Sequence, residues 1–335
     1  MSESSDFDPG PWKGHDFKSA RKAYDAHAGR SYADAVTAGK GKKDLIAPKV
    51  VFKSRIPLAI ISDVTGSMGK DPKVFFSKLG YLDLEGQEYL GKDMEICFGA
   101  TGDAHGDSYP VQIRPPAKGL DMKKALKELI IEGNGGSGVM ETYELIALYF
   151  DRLAEMPNTI RKGILIFIGD EAPYPFINAE QAKDLLGIKI QGRLSTKDVF
   201  ESLKNNWAVY LIRRPYGDCG NANAMDSTNK KIYKTWADLL GEDHITTLPN
   251  ADRVVDIIFG ILGEETGKFD YFREEVTQRQ LKDHDGPKKI AIVFKSLETI
   301  HDPQPADPQE MLPAPGRSVT RRRSKTAVKP GSKLL

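Results

Sequence analysis

The chain has 335 residues, 40% of them hydrophobic, and carries 48 Lys and Arg against 47 Asp and Glu for a formal net charge of +1. That is enough apolar chain for a sizeable core, and a charge so near zero excludes a global field for nucleic acid or a membrane surface. No apolar stretch nears the roughly 20 residues a membrane-spanning helix needs. The opening Met1-Ser2-Glu3-Ser4-Ser5-Asp6-Phe7-Asp8 has no apolar core of the kind a secretory signal carries. With Cys97 and Cys219 as its two cysteines, the composition points to a reducing cytoplasm and no disulfide frame.

Residues 1–49 read as an N-terminal extension, partly helical over 17–38, followed by a Gly- and Lys-rich linker at 39–43. Strands are expected at 50–53, 56–62, 94–101, 110–114, 163–169, 207–213 and 244–248. Helices are expected at 72–80, 121–131, 139–154, 179–186, 196–205, 230–240 and 251–264. The alternation implies an α/β fold: a doubly wound, mostly parallel sheet with one antiparallel edge strand and helices on both faces, spanning 50–265. The short, proline-bounded segment 110–114 suits the edge. Residues 173–195 and 213–229 are longer than ordinary strand-helix connections, and the first follows Asp170 closely enough to overhang whatever that residue binds. Beyond 265, a helix over 269–281 and a strand over 288–294 make an appendage at 266–300. The end, 301–335, is Pro-rich and then basic and is expected to be disordered.

The chemistry sits where the apolar run Leu58-Ala59-Ile60-Ile61 breaks into Ser62-Asp63-Val64-Thr65-Gly66-Ser67. The Asp-x-Thr-x-Ser spacing aims Asp63, Thr65 and Ser67 at one point past a strand end, just before the Asp71-Pro72 helix start. Open α/β sheets bind ligands there, and an all-oxygen donor set suits a hard divalent ion. A second strand, Ile164-Leu165-Ile166-Phe167-Ile168, ends in Gly169-Asp170 in the same way. Between them the Gly-rich run 133–138 leads into a helical stretch, and Ser137 or Thr142 offers a further hydroxyl. Two aspartates at neighbouring strand ends repel unless a cation lies between them.

These residues resemble the metal motif of the von Willebrand factor type A (VWA) domain family: an Asp-x-Ser/Thr-x-Ser turn after the first strand, a hydroxyl from a Gly-rich loop, and an aspartate after a later strand. The resemblance implies a site for Mg²⁺, or another divalent cation such as Mn²⁺ or Ca²⁺, held by Asp63, Thr65, Ser67, Ser137 or Thr142, and Asp170. It implies no catalysis. The ion instead docks an Asp or Glu offered by a protein partner, with MoxR-type AAA+ ATPases as the partner class. No membrane partner is expected, and nucleic acid only through the basic tail.

Two rivals use the same residues. A phosphatase like the haloacid dehalogenases also places Asp after its first strand, but it needs a second carboxylate where this chain has Thr65. A structural or assembly protein would use the same Asp, Ser and Thr merely to cap turns. The string Gly66-Ser67-Met68-Gly69-Lys70 is no phosphate loop, because Val64 and Asp71 stand where such a loop needs Gly and Ser or Thr. His105, between Asp103 and Asp107, reads as a solvated loop residue rather than a ligand, with Asp103 near enough to support the main site.

Overall fold

A computed structural model describes residues 39–133, 138–217, 223–281 and 284–301. The expectations for 17–38, Ser137, Cys219 and the tail from 302 fall outside these residues. Six strands form the central sheet: β1 Leu58–Asp63, β2 Ile96–Thr101, β3 Val111–Ile113, β4 Gly163–Gly169, β5 Trp207–Arg213 and β6 Ile245–Thr247. Their order is β6-β5-β4-β1-β2-β3, parallel throughout except for the edge pair β2 and β3.

Both faces of this sheet are covered, which explains why its strands read as unbroken apolar runs rather than alternating ones. Successive side chains still part to opposite faces. Leu58 and Ile60 of β1 join one core with α1 Asp71–Lys78, α2 Leu82–Leu90, α3 Leu120–Glu128, α7 Val254–Thr266, α8 Phe269–Gln280 and α9 Gly286–Leu297. Ala59 and Ile61 join the other, with α4 Tyr143–Leu153, α5 Thr196–Leu203 and α6 Ser227–Leu240. Local chemistry starts two of these helices. Ser195 Oγ accepts from Asp198 N at the head of α5, and Asp226 Oδ1 accepts from Asn229 N at the head of α6.

Three expectations need correction. The segment 288–294 is helical, not a strand. Its buried side chains are Ile290, Val293 and, one turn on, Leu297, a helical spacing, and Pro287 sits in the first turn of α9. The region after 265 is therefore two helices that share the α7 core. Residues 139–142 do not belong to α4; Met140–Glu141 pairs in parallel with Ala172–Pro173, drawing the chain up beside Asp170. Residues 179–186 are helical as expected, with an opening α turn, Ala179–Gln181, that widens to i→i+5 bonding over Ala182–Leu186. Finally, α2 had no counterpart in the expected elements, because Gly86 and three acidic residues weaken its apolar pattern. The sheet edge at β3 is closed by Ile46, which bridges Ile113; the expected linker 39–43 is exposed, and its last two residues open a short helical turn, Lys42–Leu45, that leads to Ile46.

Candidate metal centre

β1 and β4 are hydrogen-bonded neighbours running the same way, so Asp63 and Asp170 leave the sheet at one edge. The turn after β1 then joins them. Asp63 Oδ1 accepts from Thr65 N at 2.8 Å and from Thr65 Oγ1 at 2.6 Å. Thr65 Oγ1 lies 3.1 Å from Ser67 Oγ, and Ser67 Oγ donates to Asp170 Oδ1 at 3.0 Å. Asp63, Thr65, Ser67 and Asp170 thus form one continuous chain of polar contacts. Thr142 stands apart from it. Its hydroxyl accepts from Ala104 N at 2.7 Å, and no hydrogen bond links it to the four.

The next residue does reach in. Tyr143, the first of α4, donates its hydroxyl to Asp63 Oδ2 at 2.7 Å. Packing aims it there: the Tyr143 ring meets Trp236 edge-on at 5.1 Å and Phe167 at 5.7 Å between centroids. Gly169 makes the room, since a Cβ at that position would fall 1.8 Å from the Tyr143 hydroxyl oxygen. Trp236 also donates Nε1–H to Glu171 O at 2.8 Å, fixing the turn that carries Asp170.

A second residue was missed in sequence. Arg214, the first residue after β5, is 3% exposed at its side chain and lies across the site. Its Nη1 donates to Asp170 Oδ2 at 2.9 Å and to Ser67 O at 3.0 Å, while Nε donates to Asp71 Oδ2 at 2.7 Å. The signal was present: β5 pairs with β4, so an arginine just past its end arrives beside the residue just past β4.

The surroundings are strongly acidic. Asp63, Asp103, Asp107, Glu141, Glu144, Asp170 and Glu171 are all buried. Asp103 Oδ1 accepts from His105 N and from the Tyr174 hydroxyl, and Asp107 Oδ2 accepts from Asp103 N. The His105 ring lies 4.8 Å from that of Tyr174, tilted by 57°, at the start of the long 173–195 connection. Glu141 and Glu171 are both raised, each mainly by burial. Their Oε2 atoms receive nothing from other groups of the described chain.

Burial is the main cause that pushes Asp63, Asp107, Glu141, Glu144, Asp170 and Glu171 up. It raises Asp63 against the opposing hydrogen bonds of Thr65 and Tyr143 and the charge of Arg214. Burial and then the Asp63 charge raise Asp170 well above the usual carboxylate range. The same cause pushes Glu144 up to about 8 and Asp107 to about 6. Such a set is short of positive charge. Among the described residues no three His, Cys, Asp or Glu side chains converge as a metal cage. The predicted donor set differs in kind, being two carboxylates bridged by two hydroxyls. All-oxygen donors amid excess buried carboxylate fit a hard divalent ion.

No protein-family model matches the chain, and no curated protein matches it. Solved structures similar to it include the pilus adhesin SpaC from Lactobacillus rhamnosus GG in its open conformation, with 12% identity over 68% of this chain and 31% of that one, at a TM-score of 0.44. A second crystal form of the same adhesin gives 13% identity, 68% and 32% coverage, and a TM-score of 0.44. The chain spans about a third of the adhesin's length, and a superposition this loose carries no argument about function.

Proposed function

We propose that this chain is a VWA-like interaction module that holds a divalent ion, Mg²⁺ first, with Asp63, Thr65, Ser67 and Asp170, and uses it to dock a carboxylate from a protein partner. The observation that carries this reading is the unbroken contact path from Asp63 through Thr65 and Ser67 to Asp170 at the ligand-binding edge of a doubly wound sheet. An ion bound there supplies a positive vertex for an incoming Asp or Glu. The protein's own groups set that vertex up: Thr65 and Tyr143 orient Asp63, and Ser67 orients Asp170. A MoxR-type AAA+ ATPase is the partner class this resemblance suggests. Among the described residues no helix is long and apolar enough to cross a membrane.

The phosphatase alternative loses support because position 65 carries a hydroxyl where a general acid is needed.

Calorimetric titration with MgCl₂ and MnCl₂ tests the reading. Wild type should bind one ion, and Asp63→Ala should bind none while keeping a cooperative melt. Absence of binding by wild type, or binding that survives Asp63→Ala, would show that the ion-docking function is wrong.

A further inference from the structure

We propose that Arg214 is the resident counter-cation of this carboxylate cluster and that it sets how weakly or tightly the Asp63–Asp170 site takes a divalent ion. The inference rests on the divalent-ion reading of the site and adds a residue with the opposite effect on it. Arg214 does not sit there by chance of surface packing. It is buried at a strand end, its backbone N–H donates to Gly169 O at 2.9 Å, and its guanidinium reaches two carboxylates and a backbone carbonyl. Asp170 is thereby committed on both oxygens, one to Ser67 and one to Arg214.

An ion entering between Asp63 and Asp170 meets a fixed positive charge that already neutralises part of its ligand set. In a buried site that repulsion is screened much less than at the surface. The guanidinium cannot shed its proton to relieve it. The local field therefore differs from that of a site built from two aspartates alone: Arg214 offsets part of the Asp170 charge, while its Nε pairs with Asp71. The same contact explains how the carboxylates stay together without an ion. Arg214 bridges the turn after β1, through Ser67 O, to the turn after β4, through Asp170, and to the head of α1, through Asp71. The ion and the guanidinium are rivals for the role of holding these three segments together.

Wild type, Arg214→Gln and Arg214→Lys titrated with MnCl₂, alongside thermal melts in chelator and in saturating Mn²⁺, provide the test. Arg214→Gln should bind Mn²⁺ about tenfold or more tightly than wild type, because a neutral donor replaces a cation. Arg214→Lys keeps the charge and should stay within about threefold of wild type. In chelator Arg214→Gln should melt lower than wild type, and Mn²⁺ should close the gap; if the variant is unfolded without the ion, Mn²⁺ should restore a cooperative melt. Affinity in Arg214→Gln that is unchanged or weaker overturns the proposal while leaving ion binding intact. So does an equal gain in Arg214→Lys, or an unfolded Arg214→Gln that Mn²⁺ does not rescue. If neither wild type nor Arg214→Gln binds Mn²⁺, the ion-docking reading falls as well. If only the variant binds, Arg214 is the counter-cation and the wild-type site works without the ion.

Discussion

At the scale of single residues, Tyr143 shows how packing places a polar atom. Its ring is held by Phe167 and Trp236, and its hydroxyl ends on Asp63. Tyr143→Phe keeps the ring and deletes one donor to a buried carboxylate, so unfolding by urea should show a loss of about 1–3 kcal/mol. Gly169→Ala attacks the same contact from the other side. The added methyl would lie 1.8 Å from the Tyr143 oxygen, and the ring must shift to admit it. A loss of about 1–3 kcal/mol is expected from overpacking, together with a weaker Mn²⁺ titration than wild type. A neutral Gly169→Ala would mean that Tyr143 is not pinned where the structure puts it.

At the scale of elements, α9 is the sharpest case. The run Lys288-Lys289-Ile290-Ala291-Ile292-Val293-Phe294 is rich in β-formers, yet it folds as helix because α7 and α8 offer an apolar surface to a helical stripe. Leu297 closes that stripe against Gly260, where a Cβ would fall 2.3 Å from Leu297 Cδ1. Leu297→Ala should cost about 2–5 kcal/mol through lost burial and the cavity left behind. Ile292 faces outward from the same helix, 42% exposed. Ile292→Pro removes a helical N–H and clashes with the preceding turn, so it should cost about 3 kcal/mol or more. A proline tolerated at 292, read by chemical denaturation, would contradict a helix there.

For the whole molecule, the buried acids make stability depend on pH in a direction opposite to that of most salt-bridged proteins. Glu144 is raised from 4.5 to about 8 and Asp107 from 3.8 to about 6, both mainly by burial. Between the unfolded and folded values the native state holds protons that the unfolded chain has released. Unfolding therefore releases protons, and stability falls as pH rises. In chelator, the melting temperature should drop from about pH 4.5 to pH 8, steepest over about pH 5–6, where both carboxyls are protonated in the folded protein and ionised in the unfolded chain. Saturating Mg²⁺ should recover part of the loss at pH 8, since an ion that binds only the folded state stabilises it by mass action. A melting temperature that climbs over that range would show that these carboxyls ionise freely in the folded protein.

Much of the fold was legible in the sequence because two-faced burial leaves a strong local mark. Runs such as Leu58-Ala59-Ile60-Ile61 and Ile164-Leu165-Ile166-Phe167-Ile168 have few alternatives to a central strand, and Asp63 and Asp170 mark their ends. The spacing of Asp63, Thr65 and Ser67 is also local, so the turn that unites them could be read directly. What lay hidden was set by distant partners. The helical state of 288–294 depends on the surface of α7, and the extended state of Met140–Glu141 on pairing with Ala172–Pro173. Tyr143 and Arg214 reach the site from 80 residues beyond Asp63 and 147 residues beyond Ser67, brought there by strand order and by aromatic packing. Sequence by itself determined that Asp63, Thr65 and Ser67 share one turn and that Asp170 ends a second buried strand. Only the tertiary structure decided that a tyrosine would orient one aspartate and an arginine would pair with the other, because burial and strand neighbours, not chain neighbours, choose a carboxylate's partners.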